Sequence, residues 1–240
     1  MNQILKVEGV TKRFGGIRAL YRVSLHVGEK EILGLIGPNG SGKTTLINVI
    51  TGVYEPKEGE VLYNGENLVG LPPHQIAMKG IVRTFQLTRP FGNLSVIDNV
   101  IVGSLLKSDD IVEAREKSIE TLEMVGLGDY LHVLSKDLTT GNRKRLELAR
   151  ALTMEPSLML LDESLAGLTL AEMRENLTLL KKIRSERGIS MIVVEHVVKA
   201  VMDVSDRIVV LDAGEKIAEG DPRSIAKNEK VIEVYLGKAM

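Results

Sequence analysis

The chain has 240 residues, with 31 Lys and Arg against 32 Asp and Glu and a formal net charge of −1. At the usual scale of about 150 residues per domain, this length fits one large domain. The absence of cysteine excludes disulfides, thiolate catalysis and cysteine-ligated metals. The near-neutral charge and the 3% of aromatic residues argue against a dedicated nucleic-acid binder, so we expect no nucleic-acid partner.

Neither a membrane span nor a signal peptide is predicted. The sequence has no apolar run near the ~18 residues that a spanning helix needs. The opening residues MNQILKVEGV lack the basic start and apolar stretch of a signal peptide. We therefore expect a cytosolic protein whose role at a membrane would be peripheral.

The first predicted elements in chain order are antiparallel strands. Ile4–Val10 and Val23–Val27 alternate, or nearly alternate, apolar and polar residues. Val61–Tyr63 leads into Asn64-Gly65, a strong tight-turn pair. Together these segments predict a small antiparallel sheet.

A second class of strand is predicted from short, nearly continuous apolar runs bounded by Gly, Pro or charge. Such runs are typical of strands that are buried on both faces of a parallel sheet. The runs are Ile32–Ile36, Leu158–Leu161, Met191–Val194 and Ile208–Leu211, with helices predicted at Thr44–Thr51 and Ala171–Arg187. This alternation of strands and helices favours a layered α/β core.

Strand signals fade between Gln86 and Arg150. Asp110–Val125 places its apolar residues on one helical face and ends at Gly126, a residue type that commonly follows a helix end. We interpret the middle of the chain as a helical insertion. The predicted organisation is a single domain over residues 1–240, with a core from 1–86 and 151–240 and a helical subdomain at 87–150.

The strongest chemical signal is the glycine-rich segment after the first apolar run, which fits the phosphate-loop pattern G-x-x-x-x-G-K-[ST]. Its residues are Gly37, Pro38, Asn39, Gly40, Ser41, Gly42, Lys43, Thr44 and Thr45. Glycines let successive N–H groups turn towards phosphate oxygens, and the helix that begins near Lys43 adds its positive N-terminus. Lys43 supplies a charge to the outer phosphates and Thr44 a hydroxyl to Mg²⁺. The alternative, a glycine-rich surface turn, fits poorly with a position between a buried strand and a helix.

Two further apolar runs end in residues suited to phosphate chemistry. Asp162-Glu163 follows one run and Glu195-His196 follows another. Ligands bind beyond the carboxyl ends of parallel strands, so we predict that Asp162 holds Mg²⁺ directly or through water. Glu163 is predicted to polarise the attacking water as a general base. A solvated strand end and a structural histidine are the alternatives, which the shared strand-end position disfavours.

With its motifs in this order, the sequence resembles the ATP-binding subunit of ABC transporters over essentially its whole length. The resemblance implies an ABC ATPase cassette, an α/β P-loop NTPase core with a mainly parallel sheet, an N-terminal antiparallel β subdomain and an inserted helical subdomain. It implies ATP and Mg²⁺ as ligands, with Phe14 stacking on adenine and His196 contacting the γ-phosphate. Gln86, in Arg83-Thr84-Phe85-Gln86, matches the glutamine that reaches Mg²⁺ and water and faces the membrane subunit. For Phe14 the alternative is an ordinary core position.

Residues 138–142 occupy the place of the family's signature, which is usually LSGGQ. Thr139 keeps a hydroxyl and Gly141 keeps the second glycine, whereas Thr140 replaces the first glycine and Asn142 the glutamine. Thr139 or Thr140 can cap the following helix, whose N-terminus would face the γ-phosphate bound to a partner subunit. If Thr140 had to adopt a Gly-only backbone, it would crowd that phosphate and weaken ATP-dependent dimerisation.

The sequence departs from the family's usual residues at two further positions, both after Asp162-Glu163. Ser164 stands where the family usually has Pro, and Thr169 ends the dimer-contact loop where a carboxylate is common. Both changes are expected to affect cross-talk between two sites rather than the phosphate loop.

Several stretches are similar to the ATPases of branched-chain amino acid importers. They are Arg83-Thr84-Phe85-Gln86 with Arg89, Phe91 and Val96-Ile97-Asp98-Asn99, then Ala166-Gly167-Leu168, Glu195-His196 and the ending Val234-Tyr235-Leu236-Gly237. The lipopolysaccharide-export ATPase of bacteria shares some of these features and stays an alternative. The residues themselves identify neither the transported substrate nor the direction of transport.

The resemblance also implies partners and a place in the cell. The chain would lie peripherally at the cytoplasmic face of the cell membrane, bound to transmembrane permease subunits and to a second ATPase subunit, either the same chain or a paralogue. An extracytoplasmic substrate-binding protein would act indirectly. ATP would close the dimer and hydrolysis would reset it. Residues 87–100 would receive a permease helix, with Phe91 and Leu94 either as its anchor or packed within the helical subdomain.

Two other classes remain as alternatives. A P-loop phosphotransferase would need an acceptor site and usually a basic lid. A DNA-repair or translation ATPase would carry long coiled coils or two cassettes, neither of which the sequence contains.

Overall fold

The computed structural model describes residues 2–84 and 90–236. Its strands are β1 Gln3–Phe14, β2 Ile17–Gly28, β3 Ile32–Ile36, β4 Glu58–Tyr63, β5 Glu66–Asn67, β6 Ile81–Arg83, β7 Leu158–Asp162, β8 Ser190–Val194, β9 Arg207–Asp212 and β10 Glu215–Gly220. Its helices are α1 Lys43–Ile50, α2 Pro73–Met78, α3 Val96–Ser104, α4 Ile111–Met124, α5 Thr140–Leu152, α6 Leu170–Arg187, α7 Val198–Val204, α8 Pro222–Ala226 and α9 Glu229–Leu236.

An antiparallel sheet of order β2-β1-β4-β5 forms the N-terminal part, as the alternating segments predict. Its first two strands are longer than predicted, because β1 continues to pair with β2 as far as Phe14 opposite Ile17. The register shifts between Val7 and Val10 and again before Lys12. A bulge breaks the period of two, so the sequence pattern fades before the strand ends.

The central sheet has the order β10-β9-β3-β8-β7-β6 and is parallel except for the antiparallel edge strand β10. All residues of β3, β7 and β8 are buried, as their continuous apolar runs predict. Because these three strands are neighbours and run in the same direction, their carboxyl ends meet at one edge. That edge receives the segments that begin at Gly37, Glu163 and Glu195.

The inserted segment is helical in its described part, apart from a single bridge between Ser95 and Leu134. Helix α4 begins after Asp110, whose Oδ1 accepts a hydrogen bond from the Val112 N–H at 2.8 Å, and is followed by Gly126 with φ +77°. Helices α3, α4 and α5 share one hydrophobic cluster with β7, β8 and α6. The insertion therefore packs on the sheet rather than around a separate core. Its boundaries at residues 87 and 150 stay a prediction.

Across residues 2–84 and 90–236, no helix is both long enough and apolar enough to cross a bilayer.

Candidate functional site

The loop after β3 is shaped by two glycines that no other residue could replace without a clash. A Cβ at Gly37 would lie 2.1 Å from the carbonyl oxygen of Leu211, and one at Gly42 would lie 2.7 Å from that of Ala19. Gly42 also has φ +103°, in the region that disfavours side chains. Because Gly42 gives α1 no side-chain cap and the first turn has no acidic residue, the first N–H groups of α1 are available to an anion.

Lys43 turns its side chain back into this loop. Its Nζ donates hydrogen bonds to the carbonyl oxygens of Gly37 at 2.8 Å and Pro38 at 2.9 Å, and it lies 3.4 Å from Ser41 Oγ. Burial lowers the pKa of Lys43, while the nearby carboxylates of Glu163 and Asp162 raise it. The ammonium is thus surrounded by oxygen acceptors at the centre of a glycine-rich turn.

Asp162 ends β7 and is almost fully buried against an arginine. Nη2 of Arg83, the last residue of β6, donates to Asp162 Oδ2 at 2.6 Å. Arg83 Nη1 also donates to Asn48 Oδ1 on α1. The Asp162 carboxylate therefore lies beside the phosphate loop and is balanced by one buried guanidinium.

Glu163 adopts a left-handed backbone with φ +52°, which is costly for a residue with a Cβ. Its N–H donates to the carbonyl oxygen of Val194 at 2.8 Å. Its Oε1 lies 2.7 Å from His196 Nε2, and since an ionised carboxylate only accepts, Nε2 is the donor. The predicted strand-end residues Glu163 and His196 are therefore in direct contact.

A cavity of about 340 Å³ joins these groups, and it is lined by Ala19, Asn39, Gly40, Ser41, Gly42, Lys43, Thr44, Thr45, Glu163 and His196. The exposed Thr44 follows Lys43 at the start of α1, so its hydroxyl lies at the same edge as the Glu163 carboxylate. An anionic ligand with several oxygens matches a lining of N–H groups, hydroxyls and one ammonium. The structure thus brings together the predicted loop, Glu163 and His196, with Asp162 directly behind them.

The signature segment forms the start of α5. Thr139 is the N-cap, and its Oγ1 accepts from the Asn142 N–H at 3.3 Å. Thr140 is the first helical residue and has an ordinary helical backbone, so the condition under which it would crowd a phosphate is not met. A Cβ on Gly141 would lie 2.6 Å from Oε1 of Glu172, so the carboxylate end of this flexible side chain on α6 would have to shift to admit it.

The two departures that follow Asp162-Glu163 have clear structural partners. Ser164 Oγ donates to Glu195 Oε1 at 3.2 Å. Thr169 caps α6 through a capping box, in which its Oγ1 accepts from the Glu172 N–H and Glu172 Oε2 accepts from the Thr169 N–H. Thr169 is therefore a helix-capping residue in this chain.

Sequence reasoning missed the parts played by two residues at this edge. Lys144 on α5 donates from Nζ to the carbonyl oxygen of Glu163 at 3.2 Å. Glu195 is buried, accepts from the Leu165 N–H at 2.7 Å, and has its pKa raised to about 7 chiefly by burial. The available signal was an acidic residue directly after the buried strand β8, which is rare without a bonding partner.

Phe14 lies at the end of β1 and is 42% exposed, so the alternative of an ordinary core phenylalanine is wrong. Its ring contacts that of Tyr54 edge-on, with centroids 5.1 Å apart. Phe91 and Leu94 are exposed as well, and the Arg150 guanidinium stacks 4.7 Å from the Phe91 ring centroid. Gln86 lies outside the described residues.

Comparison with known proteins gives a consistent result. Residues 20–166 match the family described as "ABC transporter", and residues 215–240 match "Branched-chain amino acid ATP-binding cassette transporter". The high-affinity branched-chain amino acid transport ATP-binding protein BraF of Pseudomonas aeruginosa is 40% identical, with 98% of each chain covered. The corresponding LivG of Escherichia coli K12 is 38% identical over the same shares.

Solved structures of ATP-binding cassettes are similar to this fold. The ADP conformation of MJ1267, an ATP-binding cassette of an ABC transporter, superposes with a TM-score of 0.90 at 30% identity, covering 99% of this chain and 100% of that one. The structure of cbiO1 from Clostridium perfringens gives a TM-score of 0.88 at 27% identity, covering 97% and 93%.

Proposed function

The chain belongs to the ABC transporter family as an ATP-binding cassette, and from this we propose that it powers an importer of branched-chain or related amino acids. It is an ATPase by family, and its substrate is ATP. The observation that carries the transport proposal is full-length similarity to branched-chain amino acid transport subunits, including the separate match at residues 215–240. These relatives favour import over the lipopolysaccharide-export alternative.

The phosphate loop fits a nucleoside triphosphate. Lys43 now donates to carbonyl oxygens, and the more strongly accepting oxygens of a phosphate chain would compete for the same ammonium. The uncapped N-terminus of α1 supplies further N–H donors to the same anion. Phe14, exposed at the end of β1, would stack on the adenine ring.

The residues also fit a magnesium ion. The Thr44 hydroxyl and the Asp162 carboxylate are hard oxygen ligands of the kind that Mg²⁺ prefers, with Gln86 as a third candidate. When bound, Mg²⁺ neutralises charge that develops on the phosphate oxygens. Arg83 neutralises Asp162 in this arrangement, so the guanidinium and a divalent cation would compete for one carboxylate.

The position of Glu163 supports a role as the general base in hydrolysis. A water oxygen forms a bond to the γ-phosphorus, the bond from that phosphorus to the β–γ bridging oxygen breaks, and Glu163 accepts the water's proton as ADP leaves. His196 donates to Glu163 at 2.7 Å, which restrains the carboxylate at the mouth of the loop. On binding, the same imidazole N–H would be available to a γ-phosphate oxygen.

Transport needs a second subunit and a permease. We propose that the start of α5, capped by Thr139, binds the γ-phosphate held by a second ATPase subunit, either this chain or a paralogue. Closure of that dimer would move bound permease subunits, and a substrate-binding protein would deliver the amino acid outside the membrane. The whole assembly would hold this chain at the cytoplasmic face.

The test is uptake in the source organism after deletion of the gene. We expect uptake of labelled leucine, isoleucine or valine to fall and to return with the wild-type gene, but not with the Lys43→Ala or Glu163→Gln gene expressed at the same level. Unchanged uptake of all three, with unexported lipopolysaccharide accumulating instead, would reject import and support the export alternative. A phosphorylated acceptor in place of equal amounts of ADP and inorganic phosphate would identify a phosphotransferase.

A further inference from the structure

Glu195 is a buried carboxyl group at the catalytic edge to which hydrolysis assigns no role. It follows β8 directly, is 4% exposed, and precedes His196. Burying a carboxyl group is unfavourable unless its oxygens are hydrogen-bonded. Its retention here, beside Glu163, calls for a specific partner.

The partners of Glu195 are the residues that follow Glu163. Glu195 Oε1 accepts from the Leu165 N–H at 2.7 Å and from Ser164 Oγ at 3.2 Å. Both donors lie on the turn between β7 and the loop that leads to α6. A single carboxyl oxygen of Glu195, directly after β8, therefore restrains the turn that carries the Glu163 carboxylate.

Further hydrogen bonds act on the same turn. The Glu163 N–H donates to the Val194 carbonyl at 2.8 Å, Lys144 donates to the Glu163 carbonyl at 3.2 Å, and His196 donates to the Glu163 side chain at 2.7 Å. Glu163 needs this support, because a left-handed backbone persists in a non-glycine residue only when its surroundings hold it there.

We propose that Glu195 is a positioning residue for ATP hydrolysis, which fixes residues 163–165 so that the Glu163 carboxylate stays beside His196 and the phosphate loop. This inference rests on the proposed function, since it concerns the same reaction. Ser164 adds a donor that the proline usual at this position in the family cannot offer. The Ser164 hydroxyl therefore gives Glu195 a second hydrogen bond to this turn, besides the one from the Leu165 N–H.

Glutamine is the conservative replacement for Glu195, because it resembles the protonated carboxyl group. Burial raises the pKa of this carboxyl to about 7, so its neutral form is well populated near neutrality. Glutamine has the same shape and keeps a carbonyl oxygen that accepts from Leu165 and Ser164. Leucine has a similar size but no acceptor.

The experiment measures kcat and KM for MgATP, and equilibrium ATP binding, in the full chain carrying Glu195→Gln or Glu195→Leu. We expect Glu195→Leu to lower kcat about tenfold or more with KM within about twofold, and Glu195→Gln to stay within about threefold of wild type. Glu31→Leu is the matched control, because Glu31 is also a largely buried carboxylate that accepts a backbone N–H, from Gly28 at 2.6 Å, but at the opposite end of β3. Its kcat should be unchanged.

Wild-type kcat in Glu195→Leu would overturn the proposal, as would an equal loss of kcat in Glu31→Leu. If Glu195→Leu does not fold, Ser164→Ala decides, since it removes one donor from the turn and should lower kcat about two- to fivefold at constant KM. In that case an unchanged kcat in Ser164→Ala would overturn the proposal, and so would a folded but inactive Glu195→Gln. Failure of the proposed function itself would be recognised separately, as a wild-type chain without ATP turnover.

Discussion

Glu163 and His196 share a hydrogen bond of 2.7 Å between carboxylate and imidazole, although they are 33 residues apart and follow different strands. The bond exists because β7 and β8 are parallel neighbours whose carboxyl ends coincide. The contact is long-range and does not arise from a turn of the chain. The pairing of the strands therefore creates the geometry that the proposed general-base role of Glu163 requires.

Glu163→Gln should bind ATP with an affinity close to that of the wild type and lose about 10²–10⁴-fold in kcat, since an amide cannot accept the proton of the attacking water. The substitution keeps the side-chain shape, and His196 can still donate to its carbonyl oxygen. ATP affinity by fluorescence and phosphate release under saturating MgATP measure the two quantities. Near-normal turnover would remove Glu163 from the role of base. Glu215→Gln, an exposed change elsewhere, should leave both values as they are.

Arg83→Met should lower the free energy of unfolding by about 3 kcal/mol, because it removes the cation that is hydrogen-bonded to the buried Asp162 carboxylate. We expect MgATP to reduce this loss, since a bound cation would compensate the same carboxylate. Urea unfolding with and without MgATP measures both effects. Arg18→Met breaks an exposed pair with Glu215 and should cost only about 0–1 kcal/mol. Equal losses of unfolding free energy in Arg83→Met and Arg18→Met would contradict a larger contribution from the buried pair.

Glu195 should make the stability of the protein depend on pH. Its pKa is raised from 4.5 to about 7 in the fold, so the folded chain binds the proton more tightly than the unfolded chain. The stability contributed by this group is full below the ordinary pKa and is lost as the pH rises through about 7, by at most about 3 kcal/mol. Unfolding in urea at about pH 5.5 and about pH 8 should show a smaller decline in Glu195→Gln than in the wild type. Identical declines in both proteins would reject this assignment.

Thr140→Gly restores the glycine that is usual in the signature, yet it should not strengthen ATP-dependent dimerisation. Thr140 already has a helical backbone, so no strain is relieved, and stability should fall by about 0.3–0.5 kcal/mol. Thr139→Ala removes the cap and should cost about 1 kcal/mol, which makes it the positive control. Light scattering of each change in the Glu163→Gln background, with and without MgATP, measures dimerisation. A marked gain of dimer with Thr140→Gly would show that the threonine hinders closure.

The parts of the fold that the sequence predicts well are those with a local cause. The phosphate loop is one continuous motif, and β3, β7 and β8 are apolar throughout because both faces are covered. The position of Asp162 and Glu163 at this edge could be predicted because the carboxyl ends of parallel strands meet there, while their roles stay predictions. Helix α4 was predicted to within a residue or two, because Asp110 and Gly126 mark its ends.

The parts that the sequence did not reveal depend on distant partners. Strand β6 has three residues, too few to show a period, and yet it carries the Arg83 that pairs with Asp162 79 residues later. Helix α3 is apolar on most sides, so its 3.6-residue period is hidden. Lys144 looks like an ordinary helical lysine until α5 packs against the turn at Glu163. Each of these contacts is set by tertiary packing.

The ammonium of Lys43, bound to the carbonyls of Gly37 and Pro38, would make the proposed phosphate loop a preorganised receptor. The conformational entropy of the turn is lost when the protein folds, so an incoming triphosphate need not spend its binding energy on ordering the loop. On binding, phosphate oxygens would replace the carbonyl oxygens of Gly37 and Pro38 as hydrogen-bond acceptors of the Lys43 ammonium. We expect affinity for the nucleotide to depend also on a residue outside the cavity lining, Leu211, whose carbonyl oxygen lies against Gly37.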